Sequence, residues 1–267
     1  MAKRIGLISG SGSFPMVFAE SARSEGLEVV AVAHRGETMP ELADLVDKIL
    51  WIKLGQLGKL VDFFKNEGVN EVVMAGGIDK KNIYRKVWPD MKALSLWSKL
   101  RNRLDDGILR AVAGVLEDEG IKVVESTLFL KRLMAPKGTL TGKPPGESEQ
   151  RDIDFGWKIA KEMGGLDIGQ CIVVKDLVVV AVEAIEGTDE TIRRGGRLAK
   201  RGAVVVKVLK PNQDLRFDLP AVGLQTIRTM REVEASCLAI EAGSVIMFER
   251  EEMVREADRS GIAIVAL

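Results

Sequence analysis

The chain has 267 residues, of which 46% are apolar and 29% are charged. This composition is typical of a globular protein, and the length is sufficient for two domains with real hydrophobic cores. Basic and acidic residues number 39 each, so no excess of positive charge would attract nucleic acid. We therefore expect no nucleic-acid partner.

Cysteine usage and the chain's N-terminal residues predict a cytoplasmic protein. Cys171 and Cys237 each lie in apolar sequence without a nearby second cysteine, which is typical of buried, reduced thiols. The first residues reach a glycine too early for a signal peptide. No apolar run approaches the roughly 20 residues that a membrane-spanning helix needs.

Short apolar runs alternate with helical patterns along the first half of the chain. We predict strands at 3–9, 27–33, 49–52, 71–75 and 121–124, with helices at 16–25, 56–66 and 104–119. Alternation at this spacing predicts a parallel sheet that is covered by helices on both faces. Residues 1–134 are therefore predicted to form a Rossmann-like domain.

The second half begins after residues 138–146, which are rich in glycine, proline and threonine and predict a linker or a domain boundary. Two apolar runs on either side of Lys175 and Asp176 predict a tight hairpin. The remaining predicted strands and helices alternate, with helices at 151–163, 188–200, 224–231 and 249–259 and strands at 203–208, 236–240, 244–248 and 262–267. Residues 135–267 are thus predicted to form a second α/β domain with a mixed sheet.

The first predicted strand runs into Gly10-Ser11-Gly12 and then into a helix. This order presents backbone N–H groups and a helix N-terminus to an anion, so we predict that Gly10, Ser11 and Gly12 bind a phosphate or a nucleotide. The alternative is a tight turn that needs glycine for steric reasons alone. Gly76 and Gly77 follow a later strand, and they either line the same crevice or form a sharp turn.

Two positions depart from the dinucleotide-binding pattern. That pattern requires a third glycine where this chain has Pro15, and an acid where His34 and Arg35 follow the second strand. An NAD-dependent oxidoreductase is therefore a disfavoured alternative. His34 is the only histidine, which excludes a histidine-rich metal site, and we predict that it is exposed in a loop. Any hydrolysis then has to depend on carboxylates and a metal ion.

The segment 207–226 is the centre of the predicted site. Its two prolines argue against a continuous helix or a central strand and predict a rigid loop. Asp214 and Asp218 lie four residues apart, with Arg216 between them. Asp214 is the first carboxylate after a buried strand, where α/β proteins commonly bind ligands.

Carboxylates and cations together suit a Mg²⁺ ion that holds a phosphate, because hard cations prefer carboxylate oxygens. Asp189 leaves another buried strand in the sequence EGTD; it either shares this ion or stabilises the start of a helix. The predicted magnesium ligands are Asp214, Asp218 and Asp189, and further predicted substrate contacts are Lys207, Gln213 and Thr188. A polar loop with local ion pairs is the alternative.

The segment 84–103 carries six basic residues and one acid, Asp90, with tryptophan, methionine and leucine interleaved. Such a segment is compatible with contact to an anionic bilayer surface or with a cover over a lipid-binding cleft. The alternative is a surface helix that buries an apolar stripe.

Four motifs in chain order carry a resemblance to a known family: GLISGSGSFP, DDGILRAV, EGTD and QDLRFDLPAVG. Together they resemble the LpxI-type UDP-2,3-diacylglucosamine pyrophosphatases of lipid A biosynthesis in Gram-negative bacteria. The resemblance runs along essentially the whole chain, and its C-terminal signature is the most specific part.

The resemblance implies an N-terminal Rossmann-like domain, a C-terminal domain of the family's own type, and a lipid-linked UDP-sugar substrate held between them. It implies Mg²⁺-dependent hydrolysis to 2,3-diacylglucosamine 1-phosphate (lipid X) and UMP, with water attacking the α-phosphate. It also implies a cytoplasmic homodimer that works on a lipid of the inner membrane. The implied key aspartate is Asp214 or Asp218, and Lys207, Lys210 or Arg216 would stabilise the developing charge. A nucleotide-sugar sensor or scaffold without turnover is the main alternative.

Overall fold

The computed structural model describes residues 3–78, 88–99, 105–217 and 219–267, which fold as two compact units. The first unit contains the described residues up to Leu130 together with Leu215–Phe217. The second contains Lys131–Asp214 and the chain from Leu219 onwards. Asp218, one of the predicted magnesium ligands, lies outside the described residues.

The first unit is built on a five-stranded parallel sheet with the order β3-β2-β1-β4-β5. Its strands are β1 (Arg4–Ser9), β2 (Glu28–His34), β3 (Lys48–Ile52), β4 (Glu71–Ala75) and β5 (Lys122–Val123). Its described helices are α1 (Phe14–Ser24), α2 (Leu57–Asn66), α3 (Met91–Lys99) and α4 (Asp105–Asp118). The chain moves outward from β1 through β2 to β3 and then returns to place β4 on the other side of β1. The carboxyl ends of β1 and β4 therefore form a topological switch point, where open α/β sheets bind ligands.

Both faces of this sheet are buried, which is why its strands are almost continuously apolar. Alternate residues point to opposite faces. Ile5 and Leu7 pack with α1, whereas Val30 and Val32 lie on the face covered by α2 and α4. The predicted parallel sheet of the N-terminal half is confirmed.

The second unit has a six-stranded mixed sheet with the order β6-β13-β11-β9-β7-β8 and a two-stranded parallel ladder of β10 and β12. Its strands are β6 (Gly138–Thr139), β7 (Cys171–Lys175), β8 (Val178–Val182), β9 (Val204–Lys207), β10 (Ala221–Val222), β11 (Cys237–Ile240), β12 (Ile246–Met247) and β13 (Ala263–Ala266). Its helices are α5 (Glu147–Gly165), α6 (Thr188–Ala199), α7 (Leu224–Glu232) and α8 (Arg250–Ser260). Strands β9, β11 and β13 run parallel, and β7 runs antiparallel to β9. The predicted mixed sheet is confirmed.

Two hydrophobic clusters cover the two faces of the second sheet. Ile153 and Ala160 of α5 pack on one face, while Ile192 of α6 and Ile227 of α7 pack on the other. The predicted hairpin is also present, since β7 and β8 pair as antiparallel neighbours.

Two expectations from the sequence are wrong. The segment 138–146 is neither a linker nor a boundary between the units, because it lies within the second unit. Gly138 and Thr139 form an edge strand that pairs with β13, and Leu140 continues the contact by donating to Ile264 O. His34 is not an exposed loop residue, because it is the last residue of β2 and only 6% of it is exposed. In both places hydrogen bonds to a distant part of the chain decide the structure.

Within the described residues, no helix combines the length and the apolar character that crossing a membrane requires.

Candidate active site

In the first unit, the predicted glycine residues meet at the carboxyl ends of β1 and β4. The Gly10 N–H donates to Ala75 O at 2.8 Å, and the Ser11 N–H donates to Gly77 O at 2.6 Å. The Ser11 hydroxyl donates to the same Gly77 oxygen at 2.9 Å. The structure therefore brings the two glycine segments together, which is one of the two alternatives that the sequence leaves open for Gly76 and Gly77.

Close backbone packing explains why these positions are glycine. A Cβ atom on Gly10 would lie 2.2 Å from Gly77 O, and one on Gly76 would lie 2.5 Å from Ser11 O. Gly76 also has a φ of +86°, in the left-handed region that favours glycine. The steric alternative thus accounts for Gly10 and Gly76 through close contacts, whereas at Gly12 only the backbone conformation favours glycine.

Gly12 lies at the exposed tip of the loop, and a Cβ there would meet nothing within 4 Å. Its φ of +85° turns the chain into α1, where Pro15 occupies the first turn. The N–H groups of Gly12 and Ser13 make no hydrogen bond within the described residues. Exposed N–H groups beside a helix N-terminus form the kind of site that favours an anion.

His34, the last residue of β2, lies beside the start of this loop. Its Nδ1 lies 2.8 Å from Ser9 O, which also accepts a 2.8 Å hydrogen bond from the Thr38 hydroxyl. The His34 N–H in turn donates to the Thr38 oxygen at 3.0 Å. A carbonyl oxygen can only accept, so the proton of the neutral ring is on Nδ1. Burial lowers the pKa of His34, against the opposing effects of the Ser9 carbonyl and Glu37.

A buried polar cluster occupies the carboxyl end of β9 in the second unit. Lys207 is only 5% exposed, and its Nζ donates to Thr188 Oγ1 at 2.9 Å and to Ala221 O at 2.8 Å. Thr188 donates to Glu183 Oε1 at 2.8 Å. The structure therefore joins two predicted substrate contacts, Lys207 and Thr188, directly, and it adds the carboxylate of Glu183, which the sequence does not predict as a site residue. The sequence signal for Glu183 is its position in a run of three acids, Glu183, Glu186 and Asp189, where a buried strand ends.

Asp189, in the first turn of α6, makes no hydrogen bond or ion pair within the described residues. It is near enough to this cluster to act on Cys171, which pairs with Lys207 across the strands. Burial is the main reason that the pKa of Cys171 is raised, and Glu183 and Asp189 add to the effect. Both cysteines are buried and free, which confirms that prediction.

In the described part of the segment 207–226, two of the three predicted cations form ion pairs. Lys210 Nζ lies 2.7 Å from Asp167 Oδ1, and Arg216 Nη1 lies 3.1 Å from Glu117 Oε1. The Lys210 N–H also donates to Gln213 Oε1 at 3.2 Å. Arg216 belongs to the first unit with Phe217, which packs on its core, whereas Lys210 belongs to the second.

Magnesium ligands were predicted at Asp189, Asp214 and Asp218. Asp214 is half-buried, and Asp218 lies outside the described residues. Among the residues that the structure describes, no group of three or more histidine, cysteine, aspartate or glutamate side chains is arranged to hold a metal ion. Magnesium is commonly held by only one or two carboxylates together with substrate phosphate.

These features define a two-unit α/β protein with a glycine loop at a sheet switch point and a separate buried lysine–threonine–glutamate cluster. The protein-family model of the LpxI N-terminal domain matches residues 4–133, and the family model of the LpxI C-terminal domain matches residues 136–265. The UDP-2,3-diacylglucosamine pyrophosphatase LpxI of Caulobacter vibrioides is 30% identical over 281 residues, covering 99% of this chain and 98% of that protein. The chain therefore belongs to the LpxI family, which confirms the resemblance in the sequence.

Solved structures give weaker similarities. The biotin carboxylase domain of the Hydrogenobacter thermophilus 2-oxoglutarate carboxylase is 16% identical with a TM-score of 0.31, covering 67% of this chain and 36% of that one. Glycinamide-RNase-transformylase T from Mycobacterium tuberculosis is 14% identical with a TM-score of 0.26, covering 68% and 44%. Likenesses at this level carry no argument about function.

The close contact between the two glycine loops predicts that alanine destabilises the chain more at position 10 than at position 12. We expect Gly10→Ala to lower the free energy of unfolding by about 2–3 kcal/mol, since its methyl group would overlap a backbone oxygen that cannot move freely. Gly12→Ala should cost about 1 kcal/mol, because only the backbone conformation is unfavourable. Denaturant unfolding of the full chain measures both. Equal costs would contradict the close contact.

His34 predicts a pH dependence of stability. Because its pKa is lowered in the folded chain, the unfolded chain binds the proton more readily, so stability falls as the pH drops below about 6.5. His34→Asn should remove this component, because an amide can still donate to Ser9 O without titrating. Unfolding free energies of both proteins at pH 7.5 and pH 5.5 measure the difference. An unchanged pH dependence in the variant would contradict the assignment.

Proposed function

We propose that this protein hydrolyses the diphosphate of UDP-2,3-diacylglucosamine in lipid A biosynthesis, releasing 2,3-diacylglucosamine 1-phosphate and UMP. The observation that carries the proposal is the 30% identity, over 99% of the chain, to the Caulobacter vibrioides protein with that pyrophosphatase activity in its name. A sensor that binds nucleotide sugars without turnover and an NAD-dependent oxidoreductase are not favoured.

In the proposed reaction, water attacks the α-phosphorus, and the bond between that phosphorus and the bridging oxygen breaks. The water oxygen becomes part of UMP, while the bridging oxygen leaves with the sugar phosphate. The two hydrogens of the water are released as protons when the new phosphate groups ionise. Catalysis then requires a positioned water and compensation of the negative charge on the phosphates.

We assign the nucleotide end of the substrate to the loop of Gly10, Ser11 and Gly12, whose shape Gly76 and Gly77 maintain. The N–H groups of Gly10 and Ser11 donate to Ala75 O and Gly77 O, so the available donors begin at Gly12. The exposed N–H groups of Gly12 and Ser13 and the N-terminus of α1 support this assignment, because they provide partial positive charge without a cationic side chain.

Asp214 or Asp218, together with Asp189, would hold Mg²⁺ at the phosphates. When bound, the ion would supply charge neutralisation and lower the pKa of a coordinated water. Among the residues that the structure describes, the Asp189 carboxylate has no hydrogen-bond or ion-pair partner, which supports its part in this set.

Lys207 is the cation that the described contacts favour for stabilising the developing phosphate charge. No carboxylate of the described residues pairs with it directly, and its hydrogen bonds use two of three N–H donors. Thr188 links it to Glu183 and fixes its position. Lys210, Arg216 and Gln213 would act further along the same loop, after exchanging their present partners for substrate.

The substrate's acyl chains imply contact with the inner membrane from the cytoplasmic side, and α3 offers a surface for it. Trp88, Met91 and Leu94 are 62%, 84% and 51% exposed and are spaced by three residues. Asp90 caps the helix by accepting from the Ala93 N–H at 3.0 Å, and Lys53 lies over the Trp88 ring. The rest of the predicted segment 84–103 is partly outside the described residues. We further propose a homodimer, which sedimentation equilibrium measures directly.

Removing a magnesium ligand should reduce turnover without unfolding the chain. We expect Asp214→Asn or Asp218→Asn to lower the rate of UMP release at least a hundredfold, because the charge at the phosphates would no longer be balanced. Asp176→Asn is the matched control, since that carboxylate is 73% exposed in the β7–β8 hairpin. Chelation should abolish turnover and added Mg²⁺ restore it. Near-normal turnover in both variants would contradict the metal-site assignment.

Charges placed on α3 should weaken membrane contact. We expect Met91→Glu to reduce co-sedimentation with phosphatidylglycerol-containing vesicles about tenfold, since an apolar side chain then no longer enters the lipid interface. Leu166→Glu is the control, because Leu166 is also exposed, at 74%, but lies in the second unit. Equal losses in the two variants would assign the effect to net charge alone and contradict the surface.

A further inference from the structure

His34 is a buried polar side chain at the switch point, and the proposed reaction gives it no role. Its residue is 94% buried, and Nδ1 is committed to Ser9 O, immediately before Gly10. The other ring nitrogen, Nε2, has no hydrogen-bond partner among the described residues, and it is not among the buried atoms that lack one. Nε2 is therefore in contact with solvent although most of the side chain is enclosed.

The hydrogen bond to Ser9 O fixes both the position and the chemistry of the ring. His34 ends β2, and Ser9 ends the adjacent strand β1, so the imidazole lies over the carboxyl edge of the sheet. Because Nδ1 carries the proton, Nε2 presents a lone pair and can only accept. The lowered pKa keeps it in that state near neutral pH.

An acceptor at this place has a known use in related sheets. In dinucleotide-binding folds, an acid at the end of the second strand accepts a hydrogen bond from a ribose hydroxyl. This chain has a histidine there, with an acceptor that carries no charge. Thr38, which shares Ser9 O with His34, lines an open depression of about 490 Å³ together with Trp51 and with Arg35, the residue that follows His34.

We propose that His34 Nε2 accepts a hydrogen bond from a ribose hydroxyl of the uridine nucleotide that binds at the glycine loop. The proposal deepens the function given above and rests on it for the identity of the nucleotide. It explains why the chain lacks the usual acid. A neutral acceptor adds no negative charge beside a substrate that already carries a diphosphate.

The test compares UMP with 2′,3′-dideoxyuridine 5′-monophosphate, using calorimetric titration of the full chain. The unsubstituted protein should bind UMP about tenfold more tightly, as expected for one hydrogen bond. His34→Asn keeps a donor for Ser9 O but removes the acceptor, so it should lose that preference while binding of the dideoxy nucleotide stays unchanged. His34→Gln can place an amide oxygen near the position of Nε2 and should recover part of the preference.

A preference for UMP that survives in His34→Asn would overturn the proposal. So would an equal loss of binding of both nucleotides in that variant, which would indicate a structural role. Absence of UMP binding to the unsubstituted protein would overturn it as well. Release of UMP from UDP-2,3-diacylglucosamine is measured separately on the same preparations. Turnover without a ribose preference would thus reject the role of His34 and retain the proposed function, whereas absence of turnover would reject the function itself.

Discussion

The contact between two glycine loops, one after β1 and one after β4, is the constraint on which the first unit's candidate site depends. Gly10 and Gly76 approach the opposite backbone so closely that any Cβ atom would overlap a carbonyl oxygen. This approach allows two parallel strands to end side by side and brings the start of α1 to the switch point. A general steric rule for glycine thereby determines where backbone N–H groups remain available to a ligand.

In both sheets, one strand ends in a buried polar residue whose side chain forms a hydrogen bond with a backbone carbonyl of another segment. His34 ends β2 and bonds Ser9 O, and Lys207 ends β9 and bonds Ala221 O. Each also meets a threonine, Thr38 or Thr188. Burial of such groups is costly unless they are hydrogen-bonded, so both side chains are held in fixed orientations. Fixed orientation is what a binding or catalytic group requires.

The sequence predicts both sheets because strand–helix alternation and apolar runs are local signals. For the two glycine loops it leaves two alternatives, one crevice or a sharp turn, and the hydrogen bonds from Gly10 and Ser11 to Ala75 O and Gly77 O decide for proximity. It does not predict the state of His34, because the carbonyl that orders this ring belongs to Ser9, 25 residues away. Gly138 likewise resembles a linker locally and becomes a strand only because β13 offers an edge. Long-range hydrogen bonds decide these positions, and composition does not encode them.

The three candidate cations differ in what it would cost to redirect them to a phosphate. Lys210 and Arg216 are held by ion pairs with Asp167 and Glu117, and such pairs near the surface typically contribute at most about 1 kcal/mol. A diphosphate, with its larger charge, can compete for both side chains, so their present partners are compatible with a role in substrate binding. Lys207 is enclosed and cannot be redirected without breaking bonds to Thr188 and Ala221. The substrate must therefore come to Lys207, whereas the other two cations can move to the substrate.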